Sequence, residues 1–125
     1  MTSLARSESP TIDVLVVDDD DPLRSSLLEV LRAGGYRAEG APSARAALSV
    51  LSLERVGVLL LDVRMPGLSG LDLLDAVPDP PPVLLMTAQD FDGSVMSRWR
   101  KVAAWLPKPI PPDYLCDVVW AALNG

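Results

Sequence analysis

Residues 14–21 read VLVVDDDD: four apolar side chains run directly into four aspartates. Neighbouring carboxylates repel one another, so such a run is stable where water solvates it, where it faces the positive end of a helix, or where it holds a cation. The apolar half lacks the polar alternation of a half-exposed strand, which marks a strand buried on both faces. Residues 58–61 (VLLL) and 83–86 (VLLM) repeat the pattern. Between these runs the period changes to that of helices. DPLRSSLLEVLRAGG (21–35) offers Asp21 as N-cap, Pro22 in the first turn, apolar Leu23, Leu27, Leu28, Val30 and Leu31, and a Gly34-Gly35 stop, with Asp20 solvated at the helix start. PSARAALSVLSLE (42–54) starts in the same way at Ser43, and LSGLDLLDAV (68–77) at Ser69. Weaker strands fit YRAEG (36–40) and AAWL (103–106), and PPDYLCDVVWAALNG (111–125) reads as a closing helix. The order βαβαβαβαβα predicts a (βα)5 doubly wound, five-stranded parallel sheet in a three-layer α/β/α arrangement. Residues 1–11 are expected to be a flexible tail and 12–125 a single domain.

Composition narrows the function. A chain of 125 residues with 49% hydrophobic content can bury a proper core. Eleven basic against 17 acidic residues give a net charge of −6, which argues against direct binding to nucleic acid or an anionic membrane and for cations or basic partner patches. The absence of histidine excludes the usual zinc sites and every His-based triad. Cys116 is the one cysteine, the opening MTSLARSESP lacks the apolar core of a signal peptide, and no apolar run approaches a membrane span. A cytoplasmic location is the expectation.

In sheets of this class, function gathers at the carboxyl ends of the strands. Asp18 and Asp19 follow the first run, Asp62 the third strand, Thr87 the fourth and Lys108 the fifth. Three carboxylates, a hydroxyl and an ammonium would then meet at one edge. Oxygen ligands without cysteine or histidine suit a hard cation such as Mg²⁺. The Lys108-Pro109 bond is a candidate cis peptide.

These stretches, VVDDDDPLRSSLLEVL, LLLDVRMPGLSGLDLL, VLLMTA and PKPI, resemble the motifs of the receiver domain of two-component response regulators, over about residues 12–123. The resemblance implies a flavodoxin-like or CheY-like fold. It implies that Asp62 accepts a phosphoryl group from a sensor histidine kinase or phosphotransfer protein, and that Asp18, Asp19, Asp62 and the backbone carbonyl of Arg64 hold Mg²⁺. It further implies that Thr87 and Lys108 bind the phosphoryl group, and that Arg64 and Gln89 tune its lifetime. Trp105, three residues before the lysine, takes the place of an aromatic switch that turns inward with Thr87; a fixed packing role is the other reading. The domain would promote only its own phosphorylation and dephosphorylation. Output would run through a homodimer or a downstream effector on the face between the fourth and fifth predicted helices.

The second half departs from the pattern. DAVPDPPPVLL (75–85) predicts a truncated third helix, and QDFDGSVMSRWRK (89–101) shows a weak helical pattern interrupted by Gly93. Two other classes therefore stay open. A receiver-like interaction module would keep the fold without responding to phosphorylation. A Mg²⁺-dependent phosphatase with an aspartate nucleophile would need a general acid two residues after Asp62, where Arg64 stands.

Overall fold

The run that opens the chain becomes β1, Ile12–Val17, in which residues 14–17 have no exposed surface. The chain is represented by a computed structural model, which describes residues 9–65, 70–87 and 102–125. After β1 come α1 (Asp21–Ala33), β2 (Ala38–Ala41), α2 (Ala44–Leu53), β3 (Val56–Asp62), α3 (Gly70–Ala76), β4 (Val83–Thr87), β5 (Val102–Pro107) and α4 (Pro112–Asn124). The five strands form one sheet of order β2-β1-β3-β4-β5, with every pairing parallel. The doubly wound class expected from the sequence is the one observed.

Both faces of the sheet are covered, which is why its strands show no polar alternation. On one side Val14, Val16, Leu60, Leu84 and Met86 pack with Leu27 and Leu31 of α1 and Leu115 and Val119 of α4. On the other, Leu15, Val17, Leu59, Leu61 and Leu85 pack with Ala44 and Ala47 of α2 and Leu73 and Leu74 of α3. Each fully buried Leu or Val contributes roughly 1.5–3 kcal/mol, so the opposed faces fix the register firmly.

The start of α1 differs from the expectation. The N-cap is Asp20, whose Oδ1 accepts the Leu23 N–H at 3.0 Å, and Asp21 lies in the first turn. The reason is the first backbone bond of the helix, from Arg24 N–H to the Asp20 carbonyl at 2.8 Å, which sets the boundary one residue earlier. Asp21 is left to pair with Arg24, its Oδ1 2.6 Å from Nη2. Ser43 caps α2 as expected, accepting from Ala46 N–H at 3.1 Å; Ser69 lies outside the described residues. Helix α1 ends at Gly34, and Gly35 takes a φ of 95°, a conformation that suits glycine.

The described part of α3 is seven residues long and stops ahead of Pro78, in keeping with the expected truncation. The expected fourth helix falls largely on residues 88–101, outside the described residues, and the chain is already in β5 from Val102. In β5, Val102 pairs with Val83 and Ala104 with Leu84, so Ala103 is an extra residue. Of the expected tail, residues 1–8 lie outside the described residues. Ser9 and Pro10 offer carbonyls to Arg55 and Arg37, and Thr11 N–H bonds to the Arg55 carbonyl at 2.9 Å.

Candidate functional site

The strand order turns between β1 and β3, since the chain goes from β1 outward to β2 and then back across to β3. In open α/β sheets such a switch point opens a crevice beyond the carboxyl ends of the strands. The parallel register makes those ends flush: Val17 pairs with Leu61, Asp62 with Met86 and Thr87 with Pro107. Asp18 and Asp19 leave β1, Asp62 closes β3, Thr87 closes β4 and Lys108 follows β5, so all five gather at one edge.

Asp18 is fully buried, Asp62 is 7% exposed and Asp19 is open to solvent. One carboxylate oxygen from each lies within 4.8 Å of the other two. Lys108 Nζ stands 3.2 Å from Asp18 Oδ2 and 3.4 Å from Asp62 Oδ2. The remaining oxygens are held by the backbone: Asp20 N–H donates to Asp18 Oδ1 at 3.0 Å and Arg64 N–H to Asp62 Oδ1 at 3.2 Å. Thr87 is buried, and its carbonyl accepts the Lys108 N–H at 2.9 Å. The Lys108-Pro109 bond is cis. Trp105 is 44% exposed and sits on β5 in register with Leu85.

Among the described residues Lys108 faces two of the three carboxylates, Asp18 and Asp62, and the crowding of negative charge bears on the Asp62 pKa. Burial, followed by the Asp18 charge, raises the Asp62 pKa from 3.8 to about 6 against the opposing pull of Lys108 and the Arg64 N–H. Burial works against the Lys108 ammonium, but the Asp62 and Asp18 carboxylates outweigh it and hold the lysine above its ordinary value. A site with this surplus of negative oxygen fits a small hard cation. Mg²⁺ prefers such oxygen ligands, and the three carboxylates already bring one oxygen each within 4.8 Å of the others.

Two residues at the site were not singled out from the sequence. A Cβ on Gly70 would run into the Asp62 backbone carbonyl, and Gly70 N–H bonds to the Val63 carbonyl at 3.1 Å, so only glycine lets α3 start this close to Asp62. Arg24 reaches back from α1, its Nη1 donating to the Asp18 carbonyl at 2.7 Å. The sequence signals are faint: a glycine within SGLDLL and an arginine six residues beyond Asp18.

Fold and pocket together define a doubly wound α/β domain with a cation-ready acidic site at its switch point. A family model described as the response regulator receiver domain matches residues 14–119, and the chain belongs to that family, the receiver domains of two-component systems. It is 39% identical over 110 residues to response regulator protein FleR of Pseudomonas aeruginosa, covering 85% of this chain and 23% of that protein. Against response regulator MprA of Mycolicibacterium vanbaalenii it is 39% identical over 120 residues, covering 90% and 51%. The chain thus spans about a quarter of the first of these relatives and about half of the second. Among solved structures, the receiver domain of NtrX from Brucella abortus matches with a TM-score of 0.81 at 28% identity, over 90% of this chain and 98% of that one. Among the described residues, no helix is long and apolar enough to cross a membrane.

Proposed function

We propose that Asp62 is the phosphoacceptor of this receiver domain, taking its phosphoryl group from a sensor histidine kinase or phosphotransfer protein, with Mg²⁺ held by Asp18, Asp19, Asp62 and the Arg64 carbonyl. The observation that carries the reading is the meeting of three carboxylates and Lys108 at one strand edge, with Lys108 Nζ 3.4 Å from Asp62. An Asp62 oxygen forms the new bond to phosphorus as the bond to the donor nitrogen breaks, and that nitrogen keeps the bonding pair. Mg²⁺ held by Asp18, Asp19 and Asp62 would supply neutralisation of the negative charge gathered during the transfer. Lys108 exchanges its carboxylate contacts for a phosphoryl oxygen, and the Thr87 hydroxyl donates to another. No step turns over a separate substrate, so the domain acts as a signal carrier.

The test is intact mass after incubation with acetyl phosphate. A gain of one phosphoryl group that requires Mg²⁺ and is lost in Asp62→Asn is expected; no gain with Mg²⁺ demonstrably bound would favour a phosphorylation-independent interaction module.

Movement of Thr87 toward the phosphoryl group would pass to β5, where Pro107 is its register partner. Trp105, two residues before Pro107 and 44% exposed, is the aromatic group whose surroundings would change with it. With Trp99 and Trp120 replaced by Phe, the Trp105 emission is expected to shift on phosphorylation. An unchanged spectrum in the phosphorylated protein would remove it from the switch. Output through a second copy or a downstream effector is supported by the exposed Tyr114 and Trp120 on α4, and the acidic net charge makes direct nucleic-acid contact by this domain unfavourable.

A further inference from the structure

The turn from Asp18 to Asp20 belongs to neither the sheet nor α1, so its shape depends on the bonds that individual groups make to it. Asp18 is held at four points. Its N–H donates to the Ala41 carbonyl at 3.2 Å, its Oδ1 accepts from Asp20 N–H, its Oδ2 faces Lys108, and its carbonyl accepts from Arg24 Nη1 at 2.7 Å. The Arg24 bond is the shortest of the four and the one made by a side chain that contributes nothing to the pocket itself. That side chain is 17% exposed, with its second nitrogen 2.6 Å from Asp21 Oδ1. Its stem lies over β2, where a Cβ added to Gly40 would come within 3.1 Å of Arg24 Cδ. The stem is therefore seated over Gly40 and the guanidinium is held between the Asp18 carbonyl and the exposed Asp21 carboxylate.

We infer that Arg24 is a positioning residue for the cation pocket: it fixes the turn after β1 in the shape that lets Asp18 and Asp19 offer their oxygens to one cation. The inference rests on the reading of Asp18 and Asp19 as Mg²⁺ ligands. Charge alone would give the opposite effect, because a guanidinium beside a cation site repels the cation. Here Asp21 neutralises it at 2.6 Å, which leaves the geometric role. Groups that orient metal ligands from behind are commonly worth about 10–100-fold in affinity.

The test is calorimetric titration of the whole chain with Mg²⁺ at pH 7.5. Arg24→Met keeps the stem over Gly40 and removes both donors. It is expected to weaken Mg²⁺ binding about ten-fold. Arg24→Lys, which keeps the charge but replaces the fork with a point donor, is expected to fall between the two, and it carries the test alone if Arg24→Met does not fold. A merely structural arginine would lower the melting temperature and leave the Mg²⁺ affinity unchanged; that result, or tighter binding, overturns the inference. If wild type binds Mg²⁺ and the variants match it, this inference fails alone. If wild type itself does not bind Mg²⁺, the proposed function fails and takes this inference with it.

Discussion

Lys108→Met is expected to destabilise the metal-free protein by about 2 kcal/mol at pH 7.5 and to slow phosphorylation by acetyl phosphate by about 10²-fold. The lysine is the cation facing both Asp18 and Asp62, and without it two buried carboxylates confront each other. Removing one partner of a fully buried ion pair costs about 3–5 kcal/mol, and the lower figure applies because the Lys108 side chain is 29% exposed. The sign with pH follows from Asp62. Its folded pKa is already about 6, and loss of the ammonium drives it higher, so below about pH 5 the carboxyl is protonated and the repulsion largely disappears. Urea unfolding of both proteins at pH 7.5 and pH 5.0, with a chelator present, should therefore show a gap that narrows in acid. Equal stability of the two proteins at pH 7.5 would mean that Lys108 neutralises nothing in the folded state.

Asp62→Asn is expected to have the opposite effect, stabilising the metal-free protein while abolishing phosphorylation. The Asp62 pKa rises from 3.8 to about 6 on folding, so between those values the folded state holds a proton that the unfolded state has released. Wild-type stability then falls as pH rises through this window and stays low above it. A shift of this size corresponds to at most about 3 kcal/mol. Asparagine forfeits the Lys108 ion pair, which leaves an expected gain of about 1–2 kcal/mol at pH 7.5 and nearly none at pH 4. Saturating Mg²⁺ should reverse the order, because it stabilises the folded wild type by mass action and finds a poorer site in the variant. A variant no more stable than wild type at pH 7.5 without metal would show that the pocket carries no excess negative charge. Lys108 bears on the alkaline side: its folded pKa is raised, so its contribution is intact below the unfolded lysine value and is lost as pH climbs through the folded one.

What could be read from the sequence follows physical lines. The runs at 14–17, 58–61 and 83–86 were legible because a strand covered on both faces has no reason to alternate, and each run contributes side chains to the cores on both sides of the sheet. The gathering of Asp18, Asp19, Asp62, Thr87 and Lys108 was legible because parallel strands end together at one edge. The boundary of α1 was not, since Asp20 and Asp21 are chemically identical and the choice between them is made by the backbone bond from Arg24 to Asp20. Arg24 and Gly70 escaped for a related reason. Both act on main-chain carbonyls, of Asp18 and Asp62, whose positions exist only once the chain has folded. The raised pKa of Asp62 likewise escaped, because it comes first from the burial of Asp62 itself and then from the Asp18 charge beside it, and both exist only in the folded chain.

The most direct test is to find where the phosphoryl group goes. An acyl phosphate is reduced by borohydride, which leaves homoserine in place of the phosphorylated aspartate, and peptide mass spectrometry after acetyl phosphate and Mg²⁺ treatment would locate it. Homoserine at position 62 alone, and none when the metal is chelated, is the expected result. Homoserine at position 18 or 19, or none at all in protein with Mg²⁺ bound, would contradict the assignment of Asp62 as the phosphoacceptor.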